Sequence, residues 1–157
     1  MDTGTARGTE GVGPRRTSSR CARSPMRIGL LTLEVITSLA ALVGGTLLAL
    51  APDGKLMAAN PTVLDGSPFD DWRIPGLLLG LLVGGGFAVA AGAVWFCSRY
   101  ARPLSMTAGF GLVLFELVEL GWLGFHPLQA VFGIVGATAL VLAARLPEYA
   151  RTPLRNP

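Results

Sequence analysis

Three carboxyl side chains stand where carboxyls are costly: Glu34, Glu116 and Glu119 each fall inside a long apolar run. A charge at mid-bilayer costs at least ~2.5 kcal/mol on the insertion scale, so such acids face a bundle interior and mark polar or proton sites. Glu116 and Glu119 are one helical turn apart, the minimum equipment of a proton relay and equally a structural link. Ser105, Gly109, Leu112, Glu116, Glu119 and Leu123 follow a 4-3-4-3-4 spacing that puts both acids on one seam with two small residues. Glu34, Ser38, Ala41 and Gly45 form a comparable polar-to-small stripe on the first run. At 1.5 Å per residue, Glu34 lies ~9 Å inside one membrane face and Glu119 ~9 Å inside the other, so no single carboxylate pair is expected. Arg99 and Arg102 have stems long enough to reach toward Glu34. Arg73, Gln129 and His126 are the polar groups nearest to Glu116 and Glu119.

Other chemistry is poorly provided for. His126 is the only histidine and no ligand cluster has metal spacing, so no metal is expected. No nucleophile motif, P-loop or dinucleotide fingerprint is present, and Gly84-Gly85-Gly86 lies within an apolar run where it cannot cradle phosphate. The reading is therefore of a non-enzyme without cofactor. Cys21 and Cys97 form no CxxC and imply no disulfide framework; Cys97 reads as a small packing residue. The net charge of +3 comes from Arg clusters in tails that flank apolar runs, which excludes a nucleic-acid-binding face.

The elements that must position the acids follow from composition. Of 157 residues, 51% are hydrophobic and 15% charged, against about 25% charged in a soluble domain. Measured against the ~20 residues needed to cross the hydrocarbon, four spans emerge, at 28–50, 74–98, 104–125 and 127–146. Hydrocarbon offers no partner to backbone polar groups, so spans of this length must be helices. Pro75, Pro103 and Pro127 stand at span starts, where a missing N–H costs nothing. The fold class is an all-α, integral membrane, up-down bundle of four transmembrane helices in contact with lipid. Residues 1–27 lack apolar period and read as a disordered tail, with Met26 a second candidate start; residues 147–157 form another tail. Arg15-Arg16 suggests a twin-arginine signal, but Thr17-Ser18-Ser19-Arg20 follows without an apolar residue. The first apolar run, 23 residues, exceeds the ~7–15 of a signal peptide, so a retained helix is expected.

Arg and Lys set the orientation. Eleven lie before the first span, between the second and third, or at and after the end of the fourth, where Arg145 is its last residue but one; only Lys55 and Arg73 lie on the other side. The positive-inside rule places both termini and the middle loop in the cytoplasm, with the chain in the bacterial inner membrane. The loop 51–73 mixes Asp53, Asp65, Asp70 and Asp71 with Leu56, Phe69 and Trp72, which suits the outer membrane surface. Within it, Ser67 as N-cap, Pro68 as first residue and Asp70 three after the cap predict a helix start, with Trp72 at headgroup level. Along the second span, Gly76, Gly80, Gly84, Ala88 and Gly92 recur at intervals of four, a small-residue stripe suited to a close right-handed crossing. The sequence leaves open whether the facing helix belongs to the same chain, a second copy or another membrane partner.

The segment Gly66-Ser67-Pro68-Phe69-Asp70-Asp71-Trp72-Arg73-Ile74-Pro75-Gly76-Leu77, with Leu128-Gln129 opening the last span, resembles a group of small, uncharacterised four-helix membrane proteins of actinobacteria. Those proteins carry a G-S-P-F-x-D-Y-x-I-P-G-L segment and a later acid in the third span followed by L-Q; here Trp72 replaces the usual Tyr. The likeness spans roughly residues 26–146 and implies the topology but no activity. Glu34-Val35-Ile36-Thr37 is locally similar to the first-helix acid context of small multidrug-resistance transporters, which implies a substrate and proton site at Glu34. The long acidic loop and two further intramembrane acids depart from that family. Two functional expectations result: a non-catalytic membrane component, or a small proton-coupled transporter.

Overall fold

The computed structural model describes residues 24–59, 61–65, 67–125 and 127–146. The expected tails, Cys21, Gly66 and His126 lie outside them, apart from the last residues of the first tail. Those last residues are helical. Helix α1 spans Pro25–Leu50 and starts on Ser24, whose Oγ accepts the Arg27 N–H at 3.3 Å, with Pro25 in the first turn. Helix α2 spans Arg73–Trp95 and contains a π-helical stretch, Leu79–Gly84. Helix α3 spans Ala101–Leu123 and α4 spans Pro127–Ala144. All four contain segments long and apolar enough to cross a membrane, and no strand occurs among the described residues. The chain is a multi-pass membrane protein.

Each helix packs on the next, and α1 also meets α4, closing the bundle. The core is narrow, built around Leu30, Phe87, Val94, Leu112, Ala139 and Ala143. Large apolar side chains point outward instead, with Leu81 70% and Phe96 80% exposed, a surface suited to lipid and not to water.

Helices α1 and α2 approach to backbone contact. A Cβ on Gly45 would lie 2.5 Å from the Gly76 carbonyl oxygen and 2.6 Å from the Gly80 nitrogen; one on Gly84 would lie 2.8 Å from Leu42 Cγ. The Ser38 hydroxyl donates to the Gly84 carbonyl at 2.8 Å, where the π-helical stretch passes into α-helix. Thus Gly76, Gly80 and Gly84 meet a helix of the same chain. Ala88 is exposed and Gly92 has open space at its Cβ position, so the lower part of the expected stripe does not pack. A row spaced at four gains ~40° per step on an α-helix, and beyond Gly84 the buried face passes to Phe87, Ala90, Ala91 and Val94. A second close crossing joins Gly109 on α3 to Gly136 on α4: their Cβ positions lie 2.9 and 3.0 Å from each other's carbonyl oxygens.

At the tail end of the bundle, the Arg27 guanidinium donates to the carbonyls of Val94 and Trp95 and to Cys97 Sγ. It caps the last turn of α2, where carbonyls lack helical partners and the dipole favours a cation. Arg27→Gln is expected to lower bundle stability by about 1–2 kcal/mol, read as an earlier thermal melt in detergent. The second span ends at Trp95, three residues before the expected boundary, because Cys97 adopts φ +55° and turns the chain. Cys97 is half-buried and disulfide-bonded, which corrects its reading as a mere packing residue.

At the other end, the loop folds over the helix tips. Trp72 N–H donates to the Pro52 carbonyl at 3.1 Å, closing it. Gly54 at φ +72° turns beneath Ala59, whose carbonyl oxygen would lie 1.9 Å from any Cβ there. Lys55 pairs with Asp53 at 2.7 Å and holds that carboxyl below its usual range, with both groups in solvent. The expected helix start at Ser67 does not form. Ser67 Oγ accepts the Phe69 N–H at 3.2 Å in a local turn, and the helix begins at Arg73, whose N–H goes to Asp71 Oδ1 at 2.9 Å.

Candidate intramembrane polar sites

The buried face of α1 runs Leu30, Glu34, Ser38, Ala41, Gly45. That spacing fixes Glu34 between a core leucine and the serine that binds α2, so its carboxyl enters the bundle. Glu34 is fully buried. The equally buried Ser105, on the first turns of α3, faces it. Neither Glu34 oxygen nor Ser105 Oγ finds a partner in good hydrogen-bond geometry. Arg99 does not reach inward: its guanidinium lies 4.6 Å above the Tyr100 ring. A lone carboxylate in such a place costs several kcal/mol unless a proton or a cation neutralises it. Chemically, the pair can hold one proton between a carboxyl and a hydroxyl.

Glu116 forms a second site. It is buried to 8% exposure on α3 and lines a cavity of about 160 Å³ with Gln129 of α4, itself 9% exposed. Glu119, half-buried, faces elsewhere. It lines a groove of about 780 Å³ between α2 and α3, roofed at the loop end by Leu64, Phe69 and Trp72. The expected shared seam therefore holds from Ser105 to Glu116 and splits at the last acid, because a step of three on a 3.6-residue helix turns Glu119 toward α2. Arg73 is exposed at the loop end.

Between the first two sites the seam of α3 is apolar. Gly109 is in backbone contact with Gly136, and Leu112 is 1% exposed. Among the described residues, no group of three His, Cys, Asp or Glu side chains could hold a metal ion.

Sequence reasoning did not find the Glu34–Ser105 pairing, the groove, or Trp72 Nε1, which is buried without a hydrogen-bond partner. The run Gly84-Gly85-Gly86 was the available signal, since Gly85 and Gly86 line the groove. No family model, no curated protein and no solved structure matches this chain.

Proposed function

We propose that the chain is a non-catalytic component of the bacterial inner membrane, oriented with both termini in the cytoplasm. The observation that carries this reading is the apolar layer at Leu112 and the Gly109–Gly136 contact, which separates Glu34 and Ser105 from Glu116 and Gln129. A carrier moving protons between these acids needs polar groups or water along that path. The positive-inside count supports the orientation, and the segment from Ser67 to Leu77 supports kinship with the actinobacterial four-helix group. A second reading, a small proton-coupled transporter, is favoured by one observation: Glu34 is buried without a partner, and unsatisfied buried acids cluster at functional sites.

One experiment separates the two. Glu34→Gln, Glu116→Gln and Glu119→Gln are purified, reconstituted in vesicles and assayed for collapse of an imposed pH gradient. The first reading expects no protein-dependent proton movement in the parent chain or any variant. Protein-dependent movement in the parent, lost in a variant that still folds in full yield, overturns it in favour of the transporter.

A further inference from the structure

The turn that ends α2 has the backbone of a glycine turn and carries Cys97 instead. Ser98 N–H donates to the Ala93 carbonyl at 2.9 Å and Cys97 N–H to the Val94 carbonyl at 3.2 Å. These paired bonds close a helix whose next residue is left-handed, a place usually filled by glycine. Cys97 stands there at φ +55°. A side chain in that conformation is strained, and residues so held cluster at functional sites. Glycine would close the turn without the strain, so the position is held for its sulfur.

That sulfur is in a disulfide, and the Arg27 guanidinium donates to it at 2.8 Å. A neutral sulfur is a weak acceptor. A thiolate is a far better one, and a neighbouring cation favours it over the thiol. The Arg27 contact therefore stabilises the reduced form more than the bonded one, and a disulfide whose reduced form is stabilised is readily opened. The turn lies at the tail end of the bundle, beside Arg27. In the cytoplasm thiols are kept reduced, and the disulfides that do form there are transient or redox-sensing.

We infer, resting on the orientation proposed above, that Cys97 is a redox-active thiol whose bond to Cys21, the other cysteine of the sequence, is opened by a cytoplasmic dithiol and re-formed by exchange with glutathione disulfide. In the opening step a thiolate of the dithiol attacks the Cys21 sulfur and the S–S bond breaks. Its electron pair goes to Cys97 Sγ, which leaves as a thiolate paired with Arg27. The second thiolate of the dithiol then attacks the mixed disulfide, and Cys21 departs as a thiolate that takes a proton from water. Two electrons have passed to the chain, and the dithiol has become a disulfide. Re-forming the bond is the same exchange in reverse, with glutathione disulfide reduced to two thiols.

The full chain with a C-terminal epitope tag is expressed in bacteria, and acid-quenched cells are treated with a maleimide that adds a fixed mass to each free thiol. Two free thiols are expected in unstressed cells, none after diamide, which oxidises the glutathione pool, and two again after its removal. Cys97→Gly keeps the turn and is expected to melt no earlier than the parent, with one free thiol throughout. In the purified chain titrated with glutathione, Arg27→Gln is expected to lower the equilibrium constant for reduction about tenfold, ~30 mV for two electrons. It is also expected to raise the pH at which the reduced Cys97 reacts, a readout that loss of a helix cap alone would not move, and Arg27→Lys restores both. A bond that stays closed in unstressed cells, with the tag protected from protease added to spheroplasts, overturns the inference and leaves the orientation standing. So do two free thiols that persist in diamide, or a bond between two copies, seen as a dimer on a non-reducing gel. Removal of the tag by protease outside intact spheroplasts overturns the orientation itself, and the inference with it.

Discussion

Gly45→Val is expected to prevent the bundle from assembling, seen as loss of monodisperse protein in detergent. The obstacles to a side chain at Gly45 are the Gly76 carbonyl oxygen at 2.5 Å and the Gly80 backbone at 2.6 and 2.8 Å, and backbone cannot rotate aside as a side chain can. To accept even the first carbon, α1 and α2 must part by ~1 Å, which forfeits dispersion along the whole crossing. Overpacking costs about 1–3 kcal/mol in favourable cases and more when the neighbour is rigid. Separation also breaks the Ser38 to Gly84 hydrogen bond, a further ~1 kcal/mol. Lipid supplies no hydrophobic drive to re-form the contact, since tails are as apolar as the helix faces. Gly45→Ala is expected to melt early but survive. Gly85→Ala, with open space at its Cβ, is expected to gain up to ~1 kcal/mol from helix propensity. Equal melts for Gly45→Val and the parent chain would mean that α1 and α2 do not cross at this point.

These contrasts bear on what the sequence could reveal. Four spans were legible because the bilayer imposes a length and forbids unpaired backbone, and Glu34, Ser38, Ala41 and Gly45 are all buried because burial follows a 3.6-residue period. Punctuation was less legible. Ser24-Pro25 and Ser67-Pro68 share the Ser-Pro pair of a helix start, and only the second adds an acid three after the cap, yet only the first starts a helix. After Pro25 comes an unbroken apolar run that packs; after Pro68 come Asp70 and Asp71, and the second of these serves the Arg73 N–H instead. The glycine stripe illustrates a different limit. Its period was plain, but where the buried face leaves the row depends on which neighbours α2 meets below Gly84, a tertiary fact. The groove was hidden for the same reason, since glycines that bring helices together and glycines that leave space look alike until the helices are placed.

Glu34→Met is expected to stabilise the bundle, by about 1–3 kcal/mol if both orphaned oxygens count as buried unsatisfied groups. Methionine is close in length and volume, flexible enough to fill the site, and brings no atom that needs a partner. Ser105 Oγ is an orphan too and stays buried in the single variant, so Glu34→Met with Ser105→Ala is expected to exceed the single variant. Glu34→Lys has the opposite sign, because an ammonium placed there finds no carboxylate and costs about 3–5 kcal/mol as an uncompensated buried charge. Thermal melts of the four proteins in one detergent give the order double variant, Met, parent, Lys. A parent chain more stable than Glu34→Met would mean that the carboxyl earns its place through a bond made in the membrane, a water or a cation between Glu34 and Ser105. An acid whose removal strengthens the fold is retained at a cost to stability, and that cost is what makes Glu34 the first residue to test for proton movement.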